Sequence, residues 1–170
     1  MLSGETWEKG NLLVNGNFNQ GLELWTVQTR GKAGVSPGNF RTITGITENM
    51  VAEFIINGPG MAKISQEVTD ICPGRCYELS FFIRNAGKTF GGPGIFGADL
   101  SYANENGELL DSQSYAISNP SQLLVWTYHH LITNEAPPGT KKIKVELYSR
   151  VKDSGNILHL LADDVGLRVI

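Results

Sequence analysis

Positive charge is in short supply: 14 Lys and Arg stand against 17 Asp and Glu, for a net charge of −3 over 170 residues. With no basic field to gather phosphates, nucleic acid is not an expected partner. Long apolar runs are missing too. None approaches the ~20 residues that a bilayer-crossing helix requires, so no membrane partner is expected. The first residues, MLSGETWEKG, lack the charged-then-apolar plan of a secretory leader. Cysteine is limited to Cys72 and Cys76, which bracket Pro73-Gly74-Arg75. That turn sequence leaves two readings open, a disulfide across a tight hairpin or a pair of reduced thiols. Zinc is disfavoured, because C-x-x-x-C is not the usual ligand spacing and the three histidines lie far downstream.

Catalytic signatures are equally scarce. There is no G-x-S-x-G, H-E-x-x-H or C-x-x-C, and His129, His130 and His159 fall in strand-like segments. Two glycine-rich stretches imitate phosphate loops and fail as such. Gly92-Pro93-Gly94-Ile95-Phe96-Gly97 leads into strand-like sequence, with no helix N-terminus to receive a pyrophosphate. Gly87-Lys88-Thr89 has Phe82 where a Walker loop needs its first glycine. The expectation is a protein that is not an enzyme.

What the chain does have is period-two alternation and many turns. Tyr77, Leu79, Phe81 and Ile83 alternate with polar Glu78, Ser80 and Arg84, and Ile143, Val145 and Leu147 alternate with Lys144, Glu146, Tyr148 and Arg150. Further strands are predicted at Trp25–Thr29, Met50–Ile56, Lys63–Thr69, Ala98–Ala103, Glu108–Tyr115, Trp126–Thr133 and Leu158–Val169. Turn clusters at Asn57-Gly58-Pro59-Gly60, Pro73-Gly74, Asn106-Gly107, Pro137-Pro138-Gly139 and Ser154-Gly155-Asn156 separate them. These features predict an all-β, two-sheet antiparallel β-sandwich. It forms one domain over residues 11–170, after a polar segment at 1–10. Asn85 to Gly97 reads as a long glycine-rich loop.

The two ends carry the most information. Leu161, Asp163, Val165 and Leu167 share parity, which points Asp163 the same way as core residues and Asp164 the opposite way. A carboxylate among apolar neighbours needs a partner, and either calcium or backbone amides would serve.

The opening Asn11 to Trp25, N-L-x-x-N-G-x-F-x-x-G-x-x-x-W, is followed by Ile64-Ser65-Gln66-Glu67-Val68, by Pro73 to Phe81, by Trp126 and by Ala162-Asp163-Asp164-Val165. In that order they resemble the galactose-binding-like jelly rolls, most nearly the carbohydrate-binding modules of families four, nine and twenty-two. The resemblance implies an extracellular or cell-surface, non-catalytic module that binds a polysaccharide or other glycan. It also implies a structural calcium near the join of the two ends, held here by Asn17, Asn19 and Asp163. Asn19 stands where the family has a glutamate, so the ligand set is short of one carboxylate. Trp25 and Trp126 look like the family's structural tryptophans. Sugar contacts are expected from aromatic rings ringed by polar groups. The candidates are Tyr148 and Arg150 by parity, Phe90 and Phe96 in the glycine-rich loop, and Tyr128 with His130. Similar domains also precede collagen-like repeats in bacterial surface proteins, so a structural or homo-oligomerising domain is the alternative.

Overall fold

The alternating segments become strands because each offers one apolar face to a shared core while its backbone finds partners on both sides. The structure, a computed structural model, describes residues 10–41, 48–86 and 94–170. Eight strands follow in chain order: β1 (Thr26–Arg41), β2 (Glu48–Thr69), β3 (Tyr77–Asn85), β4 (Gly94–Ala103), β5 (Leu109–Ser118), β6 (Thr127–Ile132), β7 (Lys142–Val151) and β8 (Leu158–Val169). A single 3-10 turn, Pro120–Gln122, lies between β5 and β6.

All pairings are antiparallel, and they run in the order β5-β4-β7-β2-β8-β3-β6 with β1 on β2. Two layers result because β2 serves both. Its second half, Gly60–Thr69, pairs with β7, whereas Ala52–Ile56 pairs with β8. β1 follows β2 around the same corner, with a register shift between Gly31 and Ala33. At that corner Gly31 has φ +70°, and a Cβ there would stand 2.3 Å from the Pro59 carbonyl oxygen. Only glycine fits. The layers face each other through Phe54, Phe81 and Phe96, whose ring centroids lie 5.4 Å (Phe54–Phe96) and 5.7 Å (Phe81–Phe96) apart, and through Tyr77 with Tyr102 at 6.2 Å. One continuous apolar core joins them.

Four expectations change. Asn57–Gly60 is not a turn between two strands; it is the corner within one long strand. Phe96 is not in a loop: β4 begins at Gly94, and Phe96 is fully buried between the layers, which removes it from any ligand surface. Phe90 lies outside the described residues. Cys72 and Cys76 are free thiols. The segment between them is not a hairpin, because β2 and β3 belong to different layers and the chain crosses over there. Its backbone pairs with another segment instead, Gly74 N–H donating to Ala136 O at 2.8 Å and Ala136 N–H to Arg75 O at 2.8 Å.

The fourth change concerns β8. Leu158, Leu160 and Ala162 join the core, so Leu161 and Asp163 sit on the outward side. Asp164 adopts φ +47°, and the partner register slips between Ser80 and Phe82, so parity inverts before Val165 and Leu167. Asp163 therefore does not share a face with those two residues. Its neighbour across the layer is Phe82.

Candidate functional site

The shared ends form a scaffold first. Asn11 donates its Nδ2 to Val165 O at 2.9 Å and accepts from Leu167 N–H at 2.9 Å and Leu13 N–H at 3.0 Å. Asn15 closes the following loop on Gly21 O and Glu23 O, and Trp25 Nε1 donates to Asn15 O at 3.0 Å. Gly16 passes so close to β8 that a Cβ would stand 2.0 Å from Val165 O. Phe18 is fully buried and lies 5.6 Å from Trp25, which sits in the core as expected. Gln66 joins the same loop to β2, pairing with both the N–H and the carbonyl of Val14 at 2.7 and 2.9 Å. Every conspicuous residue of the opening motif thus has a structural task.

Of the three expected calcium ligands, Asn17 lines the pocket at the join of the ends, whereas Asp163 does not line it and its neighbour Asp164 does. Asp163 is 4% exposed and is held by Asn49 Nδ2 and by the Asp164 N–H at 2.8 Å. Burial, which outweighs those hydrogen bonds, pushes its carboxyl up to about 6. Asn17 lies at the join, in a pocket that Asp164 also lines; Asn19 is held beside it, its N–H donating to Asn17 Oδ1 at 3.3 Å. Among the described residues no group of three or more His, Cys, Asp or Glu gathers anywhere.

The sugar candidates divide between the two outward faces. Tyr148 and Arg150 lie on β7, between β2 and β4. Tyr148 stands opposite Gly97 on one side and Lys63 on the other. Its ring lies down over Gly97: a Cβ there would be 2.2 Å from Tyr148 Cζ and 2.4 Å from its hydroxyl. The glycine therefore makes the platform. Polar groups surround it. Lys63 and Lys144 both reach Glu146, at 2.7 and 2.9 Å. Burial alone would raise the Glu146 carboxyl, but the two ammonium groups outweigh it and hold it below its ordinary value. Asp99 Oδ1 and Arg150 Nε are buried and have no hydrogen-bond partner among the described residues. Burial and the nearby Asp99 push the Tyr148 hydroxyl up, so it remains a neutral donor. On the neighbouring strand β5, Ser112, Ser114, Ala116 and Ser118 keep the surface low.

Tyr128 and His130 lie on the opposite outward face, on β6. Tyr128 is 48% exposed and packs against Phe82 at 5.3 Å and His130 at 5.6 Å. Glu78, itself buried, accepts from His130 Nδ1 at 2.9 Å and Arg168 Nε at 2.6 Å. Hydrogen bonding from His130 first, with that from Arg168, holds its carboxyl below the usual range. Trp126 is half-buried on this side rather than in the core, edge-on to Phe40 at 5.5 Å, with Arg84 over the Phe40 ring at 4.7 Å.

Three members of the Tyr148 face escaped the sequence reading: Lys63, Gly97 and Asp99. Gly97 sits in a run of glycines that reads as loop, and nothing local in the sequence shows that β4 neighbours β7.

No protein-family profile and no curated protein sequence matches this chain. Solved structures do. The enzymatically active domain of a bacteriophage CBA120 tailspike protein superposes with a TM-score of 0.71 at 19% identity, covering 94% of this chain but only 21% of the tailspike chain. A family 61 carbohydrate-binding module in complex with β-1,4-galactotriose gives 0.65 at 16% identity, covering 95% of this chain and all of the module. A xylan-binding family 22 module from Paenibacillus barcinonensis gives 0.61 at 15%, with 97% of each chain covered. The chain has the β-sandwich, jelly-roll fold of carbohydrate-binding modules.

Proposed function

We propose that the protein is a non-catalytic carbohydrate-binding module of an extracellular or cell-surface protein, and that it takes its glycan on the Tyr148 face. The observation that carries this reading is the Tyr148 ring laid over Gly97, with Asp99 and Arg150 beside it holding unpartnered polar atoms. A pyranose ring stacks its C–H face on such an aromatic surface, and its hydroxyls take the carboxylate and guanidinium. The matched structures bind β-1,4-galactotriose, xylan and a β-1,3-1,4-mixed-linked tetrasaccharide, which makes galactan, xylan and mixed-linked glucan the first polymers to try. Affinity electrophoresis should show retardation by at least one of them. Tyr148→Ala should weaken it roughly tenfold or more without loss of the thermal transition. A wild-type protein retarded by none would overturn the reading.

Calcium, in the same reading, binds weakly at the join of the ends through Asp164 and neighbouring amide and carbonyl oxygens, since only one carboxylate lines that pocket. At a millimolar Kd, 1 mM calcium adds only about 0.4 kcal/mol. Melting temperatures in EDTA and in 1 mM calcium should then agree within roughly 2 °C; a rise of ten degrees would require a tighter site.

One observation favours the structural alternative. β5 is an edge strand that carries no charged residue from Ser112 to Ser118 and exposes Leu109 by 65%. An oligomer built on that edge would appear in light scattering as a mass above 18.5 kDa.

A further inference from the structure

The layer away from Tyr148 has a recess of its own. It is an open pocket of about 570 Å³ bounded by Asn11, Ser80, Tyr128, Gly166 and Arg168, within the size range of small-ligand sites. Three features mark it as more than a gap between side chains. Tyr128 offers nearly half its surface to solvent, and its ring is propped from behind by Phe82 and His130. Arg168 is anchored: Glu78 takes its Nε and Nη2, while the side chain remains 64% exposed, so the rest of the guanidinium fork points outward from a fixed base. The floor is kept open by Gly166, where a Cβ would stand 3.2 Å from Ser80 Oγ, and that hydroxyl has no hydrogen-bond partner among the described residues.

The charge balance narrows the ligand. Arg168 and Glu78 cancel, so the recess has donors and an aromatic wall without a net field to select an anion. An ion pair serving only the fold would require neither an exposed ring nor an open floor beside it.

We propose that this recess is a second glycan-binding site. It takes one neutral sugar unit stacked on Tyr128, with its hydroxyls bonded by Arg168 and Ser80, on the face opposite Tyr148. The proposal rests on the carbohydrate reading but not on the Tyr148 platform. A chain with a site on each outward face would bridge two polymer strands.

Titration calorimetry and affinity electrophoresis against galactan, xylan and mixed-linked β-glucan would test it, using the wild type, Tyr128→Ala, Tyr128→Leu, Tyr148→Ala and the Tyr148→Ala/Tyr128→Ala double variant. Tyr128→Leu keeps apolar bulk on β6 should the alanine variant lose its fold. Two sites per chain are expected, falling to one in either Tyr128 variant. In the Tyr148→Ala background, the remaining binding should weaken roughly tenfold or more when Tyr128 is also replaced. One site per chain that disappears with Tyr148→Ala alone would overturn the second site and leave the first standing. Binding lost in the Tyr128 variants but intact in Tyr148→Ala would support the recess and refute the Tyr148 platform. No binding by the wild type to any polymer would overturn both.

Discussion

Asp163 and Glu78 are both buried carboxylates, at 4% and 6% exposure, yet they make opposite contributions to stability. Glu78 has charged and hydrogen-bonding partners that favour its ionised form, so the stability it adds is present above the ordinary glutamate range and lost as pH falls. Asp163 has one amide and one backbone N–H, too little to offset burial, and titrates in the fold at about 6 against an ordinary 3.8. The unfolded chain therefore releases this proton first. Stability falls as pH rises from about 4 to about 6, and above that the full deficit of roughly 3 kcal/mol persists. Asp163→Asn keeps the shape without the charge. In EDTA, urea unfolding should find it more stable than wild type by about 2–3 kcal/mol at pH 8 and nearly equal at pH 4. Equal stability at both values would show that the carboxylate is solvated.

Among the elements, the β1–β2 ribbon does most to shape the molecule, and its corner depends on Gly31. In Gly31→Ala the added Cβ meets the Pro59 carbonyl in a left-handed conformation that alanine adopts at a penalty. A loss of at least about 2 kcal/mol in chemical denaturation is expected; an unchanged midpoint would mean that the corner relaxes freely. This ribbon also shows where sequence reading stops. β3 and β7 were legible because their buried residues alternate with partly exposed ones, which writes the pleat into the order of residues. The stretch from Arg30 to Arg41, with three glycines and a proline, carries no such alternation and extends only because β2 runs alongside it. Asn57–Gly60 has turn chemistry and is used for a bend rather than a reversal. The bulge at Asp164 defeats parity because its cause, a register slip opposite Ser80 to Phe82, lies on another strand. The candidate site was half legible for the same reason: Tyr148 and Arg150 announce themselves on β7, whereas Gly97 and Asp99 matter only once β4 is known to lie beside it.

At the scale of the whole molecule, both outward faces hang on strands remote in sequence. β8 lies between β2 and β3, and β7 between β2 and β4. Removing β8 would take the neighbouring strand from Phe54 on β2 and Ile83 on β3 and leave β2 and β3 with unpaired central edges. A chain ending at Asp153 should show no cooperative thermal transition by circular dichroism; a retained transition would mean that the β7 layer folds alone.

The central place of β8 also bears on how the protein is made. As the polypeptide leaves the ribosome, the strand that must wedge between β2 and β3 emerges after β1 to β7, and Asn11 and Gly16 have no Val165 to close on until then. Closure of this layer should therefore wait until Val169 has cleared the exit tunnel, leaving the apolar faces of β2 and β3 exposed and aggregation-prone until then.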